Sequence, residues 1–114
     1  MDQVDGTLKS RKWTATLWLH QARNCLEETM GNLTDTGRVR FIAFGQEVCP
    51  DTGTLHYQTY LVCYNPIRLS QLIRWFGDGH HFEPMYGTLQ QNESYCSKES
   101  TLTKLGDEPK QGER

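Results

Sequence analysis

Tyr95 and Lys98 stand three residues apart, and positions i and i+3 are neighbours on one face of a helix. His56 and Gln58 stand two apart, which puts both side chains on one face of a strand. One element would then present a hydroxyl nucleophile with a cation beside it, and the other two metal ligands. Those residue types suit metal-assisted attack on a phosphodiester. A phenol, with its usual pKa of about 10, is mostly protonated at neutral pH, so it is a poor nucleophile unless something stabilises its anion or takes its proton.

The elements that must carry these residues can be read from spacing. Lys12 to Leu19 alternates, with Trp13, Ala15, Leu17 and Leu19 on one face and Thr14, Thr16 and Trp18 on the other, and reads as a strand. Gln21 to Met30 is weakly amphipathic, with Cys25, Leu26 and Met30 as the buried stripe and Gly31 as the stop. After the turn residues Asp35 to Gly37, a second strand runs from Val39 to Val48 and a third from Leu55 to Cys63, joined by Cys49 to Gly53. A hairpin symmetric about Asp51-Thr52 sets Glu47 opposite His56, so a carboxylate, an imidazole and an amide share one patch of one sheet face.

Asn65-Pro66 has the form of a helix start, and Leu69, Leu72, Ile73 and Phe76 follow at helical spacing before Gly77. His81 to Met85 is a short strand whose Pro84 suits an edge. Thr88 to Gln91 fits a capping box and opens the helix bearing Tyr95 and Lys98, and Thr101 to Leu105 adds a last strand. The expected fold class is therefore α+β, an antiparallel sheet of about five strands with helices packed largely to one face.

At 114 residues the chain has room for one modest core. Its net charge of −2 argues against a protein that coats nucleic acid along its length. A local cationic face remains open to Lys9, Arg11, Lys12, Arg68, Arg74, Lys98 and Lys104. No apolar run approaches the roughly 20 residues that span a bilayer, so no membrane partner is expected. The four cysteines, Cys25, Cys49, Cys63 and Cys96, are irregularly spaced and read as free thiols rather than a disulfide or zinc framework.

Each candidate has a plain alternative. Lys98 can be a solvated cation favoured by a helix C-terminus, or can orient a phosphate, a leaving oxygen or the phenolate. Glu47, His56 and Gln58 form a mixed oxygen and nitrogen set that leaves open positions, which suits Mg²⁺ or Mn²⁺ better than structural zinc. Trp18, on the less apolar face of its strand, is the candidate for base stacking, a contact of about 1–3 kcal/mol per base. His80-His81 is either structural or DNA-contacting, with Glu83 beside His81. Gln91 stands one turn before Tyr95, and Cys96 is an inward-facing bystander.

The motif order resembles the HUH-type, single-tyrosine endonuclease domain of replication initiator proteins of circular single-stranded DNA viruses, nearest the circovirus and cyclovirus type. The likeness runs from about Trp13 to Arg114 and is densest over Gly87 to Glu99, while His56-Tyr57-Gln58 matches the family's metal motif in its glutamine variant. Trp18-Leu19-His20 replaces the usual polar end of the first motif, and Thr59-Tyr60 follows the metal motif in place of Gly-Phe. The resemblance implies an RRM-like sheet and metal-dependent nicking and joining of single-stranded origin DNA in a stem-loop, through a 5′-phosphotyrosine link. Tyr95 and Lys98 would be catalytic, Glu47, His56 and Gln58 would bind the divalent cation, and Trp18, His81, Glu83 and Gln91 would contact DNA.

The resemblance also implies action in the host nucleus. It gives a division into a flexible N-terminus (1–12), the endonuclease domain (13–105) and a linker (106–114) toward a C-terminal helicase domain. That domain lies outside this chain, as do the regions through which the full-length protein would oligomerise. The rival reading is a non-catalytic single-stranded nucleic-acid-binding module on a similar sheet. Such modules stack bases on exposed strand aromatics and want a basic platform, and this chain lacks both their aromatic-glycine signature and the net positive charge.

Overall fold

The computed structural model describes residues 6–110. Among them, five strands and three α-helices build one antiparallel sheet in the order β4-β1-β3-β2-β5. The strands are β1 (Lys9–Trp18), β2 (Phe41–Val48), β3 (Leu55–Arg68), β4 (His81–Pro84) and β5 (Thr103–Gly106). The helices are α1 (Leu26–Asp35), α2 (Leu69–Phe76) and α3 (Leu89–Cys96), with a short 3₁₀ turn over Leu19–Gln21. The α+β class and the strand count agree with the expectation.

Alternation divides the sheet cleanly. Trp13, Ala15, Leu17, Tyr57, Leu61, Ile42, Phe44 and Phe82 face a buried core closed by Leu26, Met30 and Leu33 of α1 and Leu72 and Phe76 of α2. Phe41, Ala43, Tyr60 and Val62 face the other way and receive α3 through Cys96 and Leu89. Two helices therefore cover one face, and α3 covers part of the opposite face, leaving the rest open.

Several boundaries differ from the sequence expectation, each for a local reason. β1 begins at Lys9, so Lys9 to Lys12 belong to the folded sheet rather than to a tail; residues 1–5 lie outside the described residues. α1 starts at Leu26 and runs to Asp35, so Gly31 does not stop it. Leu26, Met30 and Leu33 give the helix a continuous buried stripe, and the left-handed residue after its end is Gly37, with φ 75°. Cys25 is the exposed N-cap of this helix, not part of its buried face.

Asn65-Pro66 does not begin a helix. The β1–β3 ladder jumps from Lys12↔Val62 to Ser10↔Ile67, a bulge that leaves Asn65 and Pro66 outside the register. A proline in a bulge forfeits no ladder hydrogen bond, and it holds the residue before it extended. The helix then opens at Leu69 with extended Arg68 as its N-cap. At the C-terminal end Gly106 is still in β5, Asp107 N donates to Arg40 O at 2.8 Å, and Lys104 Nζ reaches Glu108 at 3.0 Å. The ordered fold thus runs past the expected boundary at 105, while residues 111–114 lie outside the described residues.

Candidate functional site

The β2–β3 hairpin has the register read from its turn: Glu47 pairs with His56 and Gly45 with Gln58. On the other side of β3, Trp18 pairs with His56 and Thr16 with Gln58, and β1 in turn sets Thr16 against His81 and Thr14 against Glu83. Directly paired residues in a sheet point to the same face. Trp18, Glu47, His56, Gln58, His81 and Glu83, chosen from four separate strands, therefore share the open face on which α3 lies.

Glu47 is 5% exposed, and each of its oxygens has a partner. Oε1 lies 3.2 Å from His56 Nε2, and Oε2 accepts from Lys98 Nζ at 2.5 Å. Lys98 is not on the helix as its spacing suggested. α3 ends at Cys96, and Lys98 sits in the following turn, where its backbone N reaches Tyr95 O at 3.4 Å. That turn still brings the two side chains together, with Lys98 Nζ 4.0 Å from the centroid of the Tyr95 ring. Partial burial pulls the Lys98 ammonium's pKa down, but the hydrogen bond and charge of Glu47, aided by Tyr95 and Glu99, outweigh it and leave the pKa raised. Lys98 acts as a fixed cation at neutral pH and not as a proton acceptor.

Tyr95 is 55% exposed and lines a cavity of about 320 Å³ together with Gln58, Thr16, Glu83, Asn92 and Tyr86. A larger cavity of about 520 Å³ lies between α3 and the C-terminal segment, beside Tyr60, Leu89 and Pro109. None of the sequence-predicted site residues lines it, whereas Tyr95, Gln58, His81 and Glu83 all line the smaller one. Cys96, next to Tyr95, is no rival nucleophile: burial pushes its thiol up to about 12, a trend that Lys98 opposes and Glu47 supports.

The position of α3 has a cause that the sequence reading missed. A Cβ built on Gly45 would lie 2.3 Å from the Cys96 carbonyl oxygen, so only glycine lets the end of α3 close onto the sheet beside Glu47. The signal was present in the sequence, because a glycine inside a strand often marks close approach of another backbone. At the start of α3 the capping box forms as expected: Gln91 N donates to Thr88 Oγ1 at 3.0 Å and Thr88 N to Gln91 Oε1 at 2.8 Å. The Gln91 side-chain oxygen is thereby engaged within the helix cap. Asn92, also missed, is buried and sends Nδ2 to the carbonyls of Tyr86 and Thr88, both at 2.8 Å.

The remaining candidates fall as follows. The half-buried Trp18 packs its ring against His56, 4.7 Å between centroids and tilted by 46°. Its backbone N donates to His80 Nδ1 at 3.0 Å, which gives His80 a structural role. His81 and Glu83 form an exposed pair at 3.2 Å on the edge strand. Of the residues expected to form a cationic face, Lys98 and Lys104 are each held by carboxylates.

A divalent ion is implied by the resemblance, and the donors present fit one. Two ligand atoms bound at about 2.1 Å to an octahedral ion lie about 3 Å apart, close to the 3.2 Å between Glu47 Oε1 and His56 Nε2. His56 Nδ1 is buried without a hydrogen-bond partner, so the imidazole is not locked into a purely structural network. Among the described residues no group of three His, Cys, Asp or Glu side chains gathers. The remaining expected ligand, Gln58, is an amide on the same face, and its Oε1 accepts from Thr16 Oγ1 at 3.4 Å.

Direct comparison with known proteins agrees with the family that the motifs resemble. The chain belongs to the family described as putative viral replication protein, which matches residues 10–99. It is 33% identical over 106 residues, 92% of this chain, to "Para-Rep C2" of Milk vetch dwarf C2 alphasatellite. It is 36% identical over 70 residues, 61% of this chain, to the "Replication-associated protein" of Human associated cyclovirus 1. "Para-Rep C1" of Faba bean necrotic yellows C11 alphasatellite matches at 30% over 105 residues. The aligned region spans 36%, 25% and 36% of the length of these three relatives.

Proposed function

We propose that this domain nicks and rejoins single-stranded origin DNA in rolling-circle replication, with Tyr95 as the nucleophile. The observation that carries the reading is the chain of contacts from Tyr95 to Lys98 to Glu47 to His56, at 4.0, 2.5 and 3.2 Å, on the open face of the sheet. Membership of a viral replication protein family supports it independently.

In the proposed step, Tyr95 Oη forms a bond to phosphorus as the bond from phosphorus to the 3′ oxygen breaks. The phenolic proton passes to solvent, and the departing oxygen takes up a proton to become a 3′-hydroxyl. The product is a 5′-phosphotyrosine, still a phosphodiester, so an incoming 3′-hydroxyl can reverse the step and seal the strand. Lys98 holds positive charge beside the ring where negative charge develops. Glu47, His56 and Gln58 would hold Mn²⁺ or Mg²⁺, which when bound supplies Lewis-acid polarisation of a phosphoryl oxygen.

The test is a denaturing gel after incubation with single-stranded origin DNA and Mn²⁺. The expected result is a protein–DNA adduct that disappears in Tyr95→Phe and in EDTA. Tyr95 is more than half exposed, so loss of its hydroxyl leaves the fold intact. DNA binding with no adduct in the native sequence would instead favour the non-catalytic binding module.

A further inference from the structure

We propose that Tyr86 is a stacking platform for the unpaired base next to the phosphate that Tyr95 attacks, an assignment that rests on the nicking reading above. Tyr86 is 75% exposed, the most exposed of the large apolar side chains. It lines the same cavity as Tyr95 and Gln58. An aromatic ring so exposed gains nothing for the core, yet the backbone beneath it is tightly fixed.

Asn92 Nδ2 donates to the Tyr86 carbonyl at 2.8 Å. Asn92 is 8% exposed and lies one helical turn before Tyr95, so one buried side chain ties the platform to the helix that carries the nucleophile. Gly87 follows with φ 78°, a left-handed conformation that turns the chain directly into the Thr88 cap. Just before Tyr86, Met85 N donates to Lys12 O at 3.0 Å, so the backbone is held by hydrogen bonds on both sides of the exposed ring. A ring with fixed backbone loses little conformational freedom when a base lands on it.

The ligand class follows from the surroundings. The cavity, at about 320 Å³, is at the low end for ligand sites of roughly 300–1,000 Å³, which suits one nucleotide unit and not a duplex. Its rim carries the Glu83 carboxylate and no unpaired lysine or arginine among its lining residues, so a flat π-face is better served there than a second phosphate. Stacking tolerates any base, because every base has a π-face.

Affinity for a fluorescein-labelled single strand, measured by anisotropy in a Tyr95→Phe background that cannot cleave, tests the assignment. Tyr86→Ala is expected to weaken binding about 5- to 150-fold, the range that one stacked base gives, while Tyr86→Phe stays within about twofold. Replacing the base beside the scissile phosphate with an abasic site should weaken the parent and remove the difference between parent and Tyr86→Ala. Equal affinity of parent and Tyr86→Ala on intact DNA overturns the proposal, as does a defect that persists undiminished on the abasic strand. Circular dichroism on the same samples checks that the exposed substitution leaves the fold unchanged. The adduct gel with the native sequence separates the two layers: no adduct sinks the nicking reading, whereas an adduct together with an indifferent Tyr86→Ala sinks only the stacking assignment.

Discussion

Lys98 Nζ donates to Glu47 Oε2 at 2.5 Å and lies 4.0 Å from the centroid of the Tyr95 ring, so one ammonium links the buried carboxylate to the proposed nucleophile. Glu47 then has a cation on one oxygen and an imidazole on the other, before any ion is considered. Removing the cation should be felt at both ends of the contact.

Lys98→Met keeps the side chain's length and removes its charge, leaving Glu47 buried with one oxygen unpaired. Breaking a fully buried pair costs about 3–5 kcal/mol. The Lys98 side chain is 40% exposed, so solvent screening reduces this to about 1–2 kcal/mol. A divalent ion supplies positive charge to the same carboxylate, so Mn²⁺ should raise the Tm of Lys98→Met more than that of the native sequence. Differential scanning calorimetry with and without Mn²⁺ measures both. Equal Mn²⁺ increments in the two proteins would mean that Lys98 and the ion do not share Glu47.

The pairing of Glu47 with His56 was legible because the turn residues Pro50 to Gly53 fix a short hairpin, and one turn sets the register of every residue beyond it. The Lys98–Glu47 contact was not legible. It joins positions 51 residues apart and depends on how closely α3 docks, a distance that no periodicity encodes. The start of α2 failed for a related reason: Asn65-Pro66 has the local chemistry of a helix start, but the bulge in the β1–β3 ladder keeps it extended. Local propensity yields there to pairing with a strand more than fifty residues earlier.

Gly45→Ala tests that docking directly. Its methyl group would meet the Cys96 carbonyl at 2.3 Å, a backbone atom that cannot turn aside, so the end of α3 must lift. Overpacking of this kind costs about 1–3 kcal/mol. The larger effect should be on adduct formation, since a shift of about 1 Å in a reacting group can cost about 100-fold in rate. Single-turnover adduct kinetics should fall by that order while the protein remains folded at 25 °C. A rate within threefold of native would show that α3 docking does not set the position of Tyr95.

Trp18, the residue expected to stack on DNA, holds its ring 4.7 Å from His56. An indole against an imidazole restricts the ring positions His56 can adopt, which favours a preformed ligand set. Trp18→Ala should therefore weaken Mn²⁺ binding about 10-fold, with Trp18→Phe close to native, as measured by titration calorimetry without DNA. His56→Ala and Glu47→Gln give the reference loss. If Trp18→Ala alters DNA affinity and leaves Mn²⁺ affinity untouched, the residue serves the strand and not the ion.

Substrate form is the last expectation. Tyr95 has to bring its phenol to within about 3–3.5 Å of phosphorus, in line with the leaving oxygen. Its surroundings constrain the approach: the cavity beside it is about 320 Å³, walled by the β1 and β4 strands on one side and by Asn92 and Tyr86 on another. A phosphate in a stacked duplex can reach that position only if the duplex is opened or sharply distorted. Counterion release drives such distortion in strongly basic proteins, but the net charge here is −2, and Lys98 and Lys104 are already held by carboxylates. An unpaired loop needs no distortion, and its bases are free to meet exposed rings. With Mn²⁺, the target sequence as a single strand should give adduct, while the same sequence in a fully paired, relaxed linear duplex should remain intact on the same gel. Comparable rates on the two forms would mean that the duplex is opened by forces this site does not contain, and the nicking mechanism would have to be redrawn as that of a duplex nuclease.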